Sequence, residues 1–188
     1  MTVTVDGPGT WRVGDGSAVE FIDAQAEWAP FAREVLIETA KKYHGFVTYK
    51  DLAEQVQLRS GVRTRSQMRN WLGSVLVIVA DEGSLKGEPA LTALCVRTDE
   101  TAGEGFAHVV ALTGAEPSVD LEPLAATERM SCYRFFGAEI PTGGGHPALT
   151  PRVASARKRA AAAIVRPVVV CAICNMQVPA SGVCENSH

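Results

Sequence analysis

Long apolar runs are missing from this 188-residue chain. No stretch of 18 or more apolar residues occurs, and the longest candidate, Ala160 to Val170, is interrupted by Arg166 and Pro167. A helical membrane span needs about 20 such residues, so none is expected. A basic region followed by an apolar stretch is also missing near the start, so no secretory signal is expected and the chain reads as soluble and cytoplasmic. A disulfide framework is missing too, because the five cysteines are an odd number without a secretory context. The charge is −3, which excludes a surface coated in basic residues. Convergent catalytic groups are lacking: His44, His108 and His146 are scattered, and Gly143 to Gly145 lack the Lys-Ser/Thr of a phosphate loop. An enzyme is therefore not the expected class. There are no internal repeats.

What is present suits a globular α+β protein of one domain or slightly more, with enough apolar residues for a core. Arginine outnumbers lysine 13 to 5 and alanine is abundant, a bias that fits an actinobacterial or actinophage origin. Residues 1–23 read as an irregular lead-in with one short strand at Ala18 to Ile22. Apolar spacing of three and four predicts a helix from Ala24 to Tyr43, carrying Trp28, Phe31, Val35 and Leu36, with Gly45 as its stop. Phe46 and Val47 make a short extended piece. Thr48 and Asp51 have the spacing of a helix cap, and the helix they open ends by Gly61. A third helix is expected from Thr64 or Ser66 to Gly83, with Met68, Trp71, Leu72, Val75, Leu76 and Val79 as its apolar stripe. Two β-rich runs, 90–97 and 106–112, flank the polar loop Thr98 to Gly105 and read as a hairpin.

After Pro117 and Pro123 the sequence predicts a helix over Leu124 to Phe136, a glycine-rich loop, and a basic helix over Pro151 to Val165. Val168 to Val170 form a short strand leading into the cysteines. The expected domains are the lead-in at 1–23, a main domain at 24–115, a helical extension with the basic helix at 116–167, and a C-terminal knuckle at 168–188.

The order helix, short strand, helix, helix, hairpin, together with Gly45-Phe46-Val47-Thr48-Tyr49-Lys50-Asp51-Leu52-Ala53, resembles the winged-helix family of helix-turn-helix DNA-binding domains. The resemblance covers about residues 24 to 112. It implies a winged-helix core with additional helices, and a third helix that enters the major groove of duplex DNA.

Local charge points the same way. Lys41, Lys42, Lys50, Arg59, Arg63, Arg65 and Arg69 face only Asp51 and Glu54 in that stretch. Arg65, Gln67, Arg69 and Asn70 are the expected base readers, because arginine matches guanine and an amide matches adenine. Lys50 and Arg59 suit phosphates, and Arg63 joins them as an expected DNA-binding residue. Arg152, Arg157, Lys158 and Arg159 form a second cationic stretch without an acid. Asp99, Glu100 and Glu104 make the wing tip acidic, which keeps a protein-binding module in view.

The most informative motif is at the C-terminus. Cys171-Ala-Ile-Cys174 is followed, after nine intervening residues, by Cys184 and, after three more, by His188. Two cysteines separated by two residues aim both sulfurs at one ion, and thiolate plus imidazole suits zinc. The pattern resembles zinc ribbons and knuckles, except that the residue two after the third-cysteine neighbour is Ser187 and the fourth ligand falls to His188. A structural Zn2+ held by Cys171, Cys174, Cys184 and His188 is expected. Cys95 and Cys132 read as buried core thiols.

The combined expectation is a DNA-binding protein, a transcriptional regulator or a phage or mobile-element factor. The alternative is a module that binds or inhibits a host or partner protein. Nothing argues against a homo-oligomer.

Overall fold

The amphipathic pattern around Trp28 does form a helix, α1 at Phe21–Ala40, which buries Ala24, Trp28, Ala32, Leu36 and Ala40 on one face. It begins earlier than expected and takes Phe21 and Ile22 from the strand expected at Ala18 to Ile22, of which Ala18 keeps an antiparallel bridge to Trp11. The structure, a computed structural model, describes residues 9–114, 116, 120–164, 170–179, 182–184 and 186. It divides into two units, Met1–Pro151 and Arg152–His188. Among the described residues no helix is long and apolar enough to cross a membrane.

In the first unit, β1 at Thr10–Arg12 pairs antiparallel with β3 at Val62–Thr64. The buried Trp28 ring reaches β3, donating its Nε1–H to the Val62 carbonyl at 3.0 Å, and stacks at a tilt on Trp71 with ring centres 4.4 Å apart. Aromatic pairs of this kind add to area burial in holding a core together. The strand β2 at Val47–Thr48 leads directly into helix α2 at Tyr49–Ser60. The expected cap is present: the Asp51 N–H donates to the Thr48 hydroxyl at 3.2 Å, and that hydroxyl donates to the Asp51 carboxylate at 2.8 Å. Gly61 ends α2 at φ +68°, a left-handed position that costs glycine least.

The third helix, α3 at Leu72–Leu85, starts later than the sequence suggested. Between it and β3 lie an extended segment and a 3₁₀ turn, Met68–Asn70. α1 packs on both α2 and α3 through Leu52, Val56, Leu72, Val75, Leu76 and Val79, all buried.

The expected hairpin is corrected. Residues Leu91–Leu94 form a buried 3₁₀ turn, and β4 at Cys95–Val96 pairs parallel with β2. The second supposed strand is helix α4, Glu104–Leu112. Its valines favour β structure in isolation, but Phe106 and Val110 are four apart and share one buried face. Two glycines allow α4 its position. A Cβ on Gly103 would lie 2.2 Å from the Tyr49 ring, and one on Gly105 would lie 2.9 Å from Leu76. The Gly105 N–H donates to the Tyr49 hydroxyl at 3.0 Å. Among the described residues, therefore, the expected hairpin is reduced to one antiparallel bridge, Val96 with Ala102, next to which the Arg97 N–H donates to the Thr101 carbonyl at 2.9 Å.

Helix α5, Leu121–Phe135, is capped by Asp120, whose carboxylate accepts the Glu122 N–H at 3.1 Å. Pro123 sits in its first turn, where proline is tolerated, instead of closing a linker. Cys95 and Cys132 are fully buried, as expected of core thiols. Burial raises both, Cys132 to about 12. The fold is α+β in general terms: six helices and two small two-stranded sheets among the described residues. In the second unit, the basic helix is α6, Pro151–Ile164.

Candidate metal centre

The chain after Val170 has almost no apolar core to order it. Val170, Ile173, Met176 and Val183 are all exposed. Local hydrogen bonds shape it instead. Val170 bridges Gln177 in antiparallel fashion. Between them the Cys171 N–H donates to the Met176 carbonyl at 2.8 Å, and the Asn175 N–H donates to the Cys171 carbonyl at 2.9 Å. Asn175 adopts φ +54°, a left-handed conformation that asparagine accepts more readily than most residues. This tight turn points Cys171 and Cys174 the same way. Gly182, at φ +78°, makes the second turn, and its N–H donates to the Pro179 carbonyl at 2.9 Å.

The outcome is a cluster in which the Cys171, Cys174 and Cys184 sulfurs all lie within 4.8 Å of one another. Cys174 Sγ and Cys184 Sγ are 3.5 Å apart. Three thiolates bound to one ion at about 2.3 Å would be separated by nearly 4 Å, so the spacing fits a shared metal. The Met176 N–H and then the Asn186 side chain stabilise the Cys174 thiolate, lowering that thiol to about 7. Cys184 is shifted the other way: the Asn186 N–H favours its thiolate, but partial desolvation and the neighbouring thiols outweigh it. Sulfurs this close cannot all carry negative charge without a cation between them. The three cysteines can therefore hold a metal ion. His188, the expected fourth ligand, lies outside the described residues. Sequence reasoning missed Asn175 and Asn186; the asparagine after the second cysteine was the readable signal for the left-handed turn.

The expected DNA contacts are dispersed. Arg59 makes a two-pronged ion pair with Glu38 at 2.8 Å, and Lys50 lies 3.9 Å from Glu54. Arg65 covers the Trp11 ring at 5.6 Å. Arg63 is exposed on β3, and Gln67 and Asn70 are exposed around the 3₁₀ turn. Arg69 instead lines a cavity of about 270 Å³ with Arg97, Tyr49 and Glu104. None of these side chains belongs to α3. That helix has no cation and no amide side chain, and it exposes Ser74, Ile78 and Asp81. α3 thus offers none of the arginine or amide side chains expected to read bases. The misreading arose because β-strand β3 and the turn follow α2 directly, displacing the polar residues from the helix that begins at Leu72.

The second unit concentrates its charge. Five of the 18 basic residues and one of the 21 acidic residues lie after position 151, so Arg152–His188 carries +4 and Met1–Pro151 carries −7. Arg152, Arg157, Lys158 and Arg159 on α6 are all exposed, and every residue from Ala154 to Ala162 faces solvent.

Comparison with protein-family models, curated proteins and solved structures finds no match in any of the three.

Proposed function

We propose that the protein binds duplex DNA through its second unit, with zinc as the structural metal at Cys171, Cys174 and Cys184 and His188 as the fourth ligand. The observation that carries this reading is the segregation of charge. A helix with four exposed cations and no acid shares a unit with a thiol cluster that has no other means of becoming ordered. Cations at 157, 158 and 159 spread over about 200° of the helix surface, which suits a polyanion with phosphates on more than one side. The soft, borderline donor set and the tetrahedral-sized gap favour zinc over magnesium or calcium. With all four positions filled by protein, the zinc would be structural and would leave no open position for substrate.

In this reading Arg63 and Arg65 are secondary phosphate contacts, while Lys50 and Arg59 are occupied by their acids. We also carry forward the likeness of α1–α3 to a helix-turn-helix core as a proposal, without a wing. The role would be that of a regulator or mobile-element factor.

The test is duplex DNA binding followed by fluorescence anisotropy across a range of salt concentrations. Replacing Arg157, Lys158 and Arg159 together by Ala is expected to reduce the salt slope by about one for each lost phosphate contact. Undetectable binding of the intact chain at low salt sinks the proposal.

A protein-binding function has one specific observation in its favour. A groove of about 480 Å³ between α3, α4 and α5 is lined by Val79, Leu91, Val109 and Phe135, and Phe135 is 57% exposed. Capture of a partner that survives nuclease treatment, by the chain carrying Phe135→Ser as control, separates the two readings.

A further inference from the structure

Arg129 is a charged residue in the wrong solvent. It lies on α5 among Met130, Cys132 and Tyr133 and is only 2% exposed. Among the described residues no carboxylate comes within 4 Å of it, although four other arginines have one. Its partners are two backbone carbonyls at long range: Nη1–H donates to Ala93 at 3.3 Å and Nη2–H to Ala148 at 3.4 Å. Glu122 attracts it from beyond ion-pair distance while accepting the Ala102 N–H. A guanidinium has five N–H donors and stays charged at neutral pH, so a buried one without an anion is unusual.

Arg129 also borders a cavity. A recess of about 190 Å³ is lined by Arg129, His44, Phe46, Tyr133 and the backbone of 148–151. The polar neighbours are already committed elsewhere. The Tyr133 hydroxyl donates to the Gly45 carbonyl at 2.7 Å, and the Thr150 hydroxyl donates to the Glu100 carbonyl at 2.8 Å. The two basic side chains on the recess are Arg129 and His44. His44 is held at φ +63°, in the left-handed region, which is costly for a residue with a Cβ. The chain leading into residues 148–151 is fixed as well. Gly145 sits at φ +64°, with space for a Cβ only 2.9 Å from the Tyr43 hydroxyl, and that hydroxyl accepts the His146 N–H at 3.2 Å.

A buried guanidinium with no carboxylate within ion-pair distance, a recess beside it, and an exposed histidine with a left-handed backbone at the same recess call for a common explanation. We propose that this recess binds a small oxyanion, the phosphate or carboxylate group of a small molecule, with Arg129 and His44 as its donors. The volume takes an oxyanion with a short substituent and excludes a nucleic-acid strand. The site is thus independent of the DNA-binding reading.

The test uses the full chain, with inorganic phosphate and acetate as separate probes, read by titration calorimetry and by thermal unfolding at constant ionic strength against chloride. At least one probe is expected to bind and raise the unfolding temperature; which one does so assigns phosphate or carboxylate. Arg129→Met is expected to fold and to lose roughly 10- to 100-fold in affinity, as for lost hydrogen bonds to a charged group. His44→Gly relieves the backbone strain, so it is expected to be no less stable than the parent yet to bind more weakly. That combination is not expected of a purely structural histidine. Absence of binding by both probes overturns the proposal, as does affinity that is unchanged in His44→Gly. A response that persists in Arg129→Met also overturns it, because the anion would then be bound elsewhere. If Arg129→Met does not fold, His44→Gly alone decides.

Discussion

The two units of this chain are held together by different physics. Met1–Pro151 buries two tryptophans, Phe106 and a run of leucines and valines, and several of its surface cations are matched to acids, such as Arg12 with Glu27 and Arg59 with Glu38. Its least exposed ion pair, Arg33 with Glu88, is nearly closed off from water. Arg152–His188 has an exposed cationic helix, apolar side chains facing outward, and three thiols gathered at one point. One unit is acidic and stabilised by its core. The other is basic and gathers three thiols that can hold a metal ion. The comparison suggests that folding and binding have been divided between them, with stability in the first and adhesion to polyanions in the second.

Metal removal should break the comparison most sharply. Zinc binding to small cysteine sites is worth about 10–16 kcal/mol near neutral pH. Stripping the metal, or replacing Cys171 by Ser, is expected to abolish amide protection over 170–184 while leaving the unfolding transition of the first unit in place. Hydrogen exchange with and without chelator reads both at once. The converse variant is Trp28→Ala, which removes a fully buried ring and its hydrogen bond to Val62. It should cost the first unit about 3–5 kcal/mol in denaturant titration and leave the metal content unchanged. Thr48→Ala, which deletes the cap of α2, should cost about 1 kcal/mol by the same measurement.

The smallest effects concern the surface pairs. Arg59→Ala removes an exposed contact with Glu38 and should change stability by less than about 1 kcal/mol. It should also leave DNA affinity nearly unchanged, in contrast to substitutions on α6. Acid titration sharpens the same point. Arg12 and Arg59 hold the Glu27 and Glu38 carboxyls below their ordinary value of 4.5. A depressed folded-state value means stabilisation that is present above 4.5 and lost as the pH falls through the lower folded value. A shallow acid-side loss in the first unit is therefore expected in circular dichroism.

Local signals were legible in the sequence, and signals that depend on distant contacts were not. Thr48 with Asp51, Gly61, and the three cysteines each act within a few residues, so their spacing alone revealed them. The pairing of Thr10–Arg12 with Val62–Thr64 joins segments far apart in the chain, and nothing local announces it. Residues 104–112 were misread because Val109 and Val110 favour strands, whereas the deciding fact is tertiary: Gly103 and Gly105 let a helix press against Tyr49 and Leu76. The polar residues Arg65 to Asn70 looked like the front of a helix, but the buried Trp71 turns the chain before α3 begins. Arg129 gave no sign in sequence of being buried, since its setting comes from Ala93 and the loop at Ala148.

The most direct test of the division between the units is hydrogen exchange of the intact, metal-loaded chain with and without a DNA duplex. The account predicts new protection within residues 152–184 and little change across α1 to α3. Protection centred on α2, β3 and α3, with none in the second unit, would contradict it.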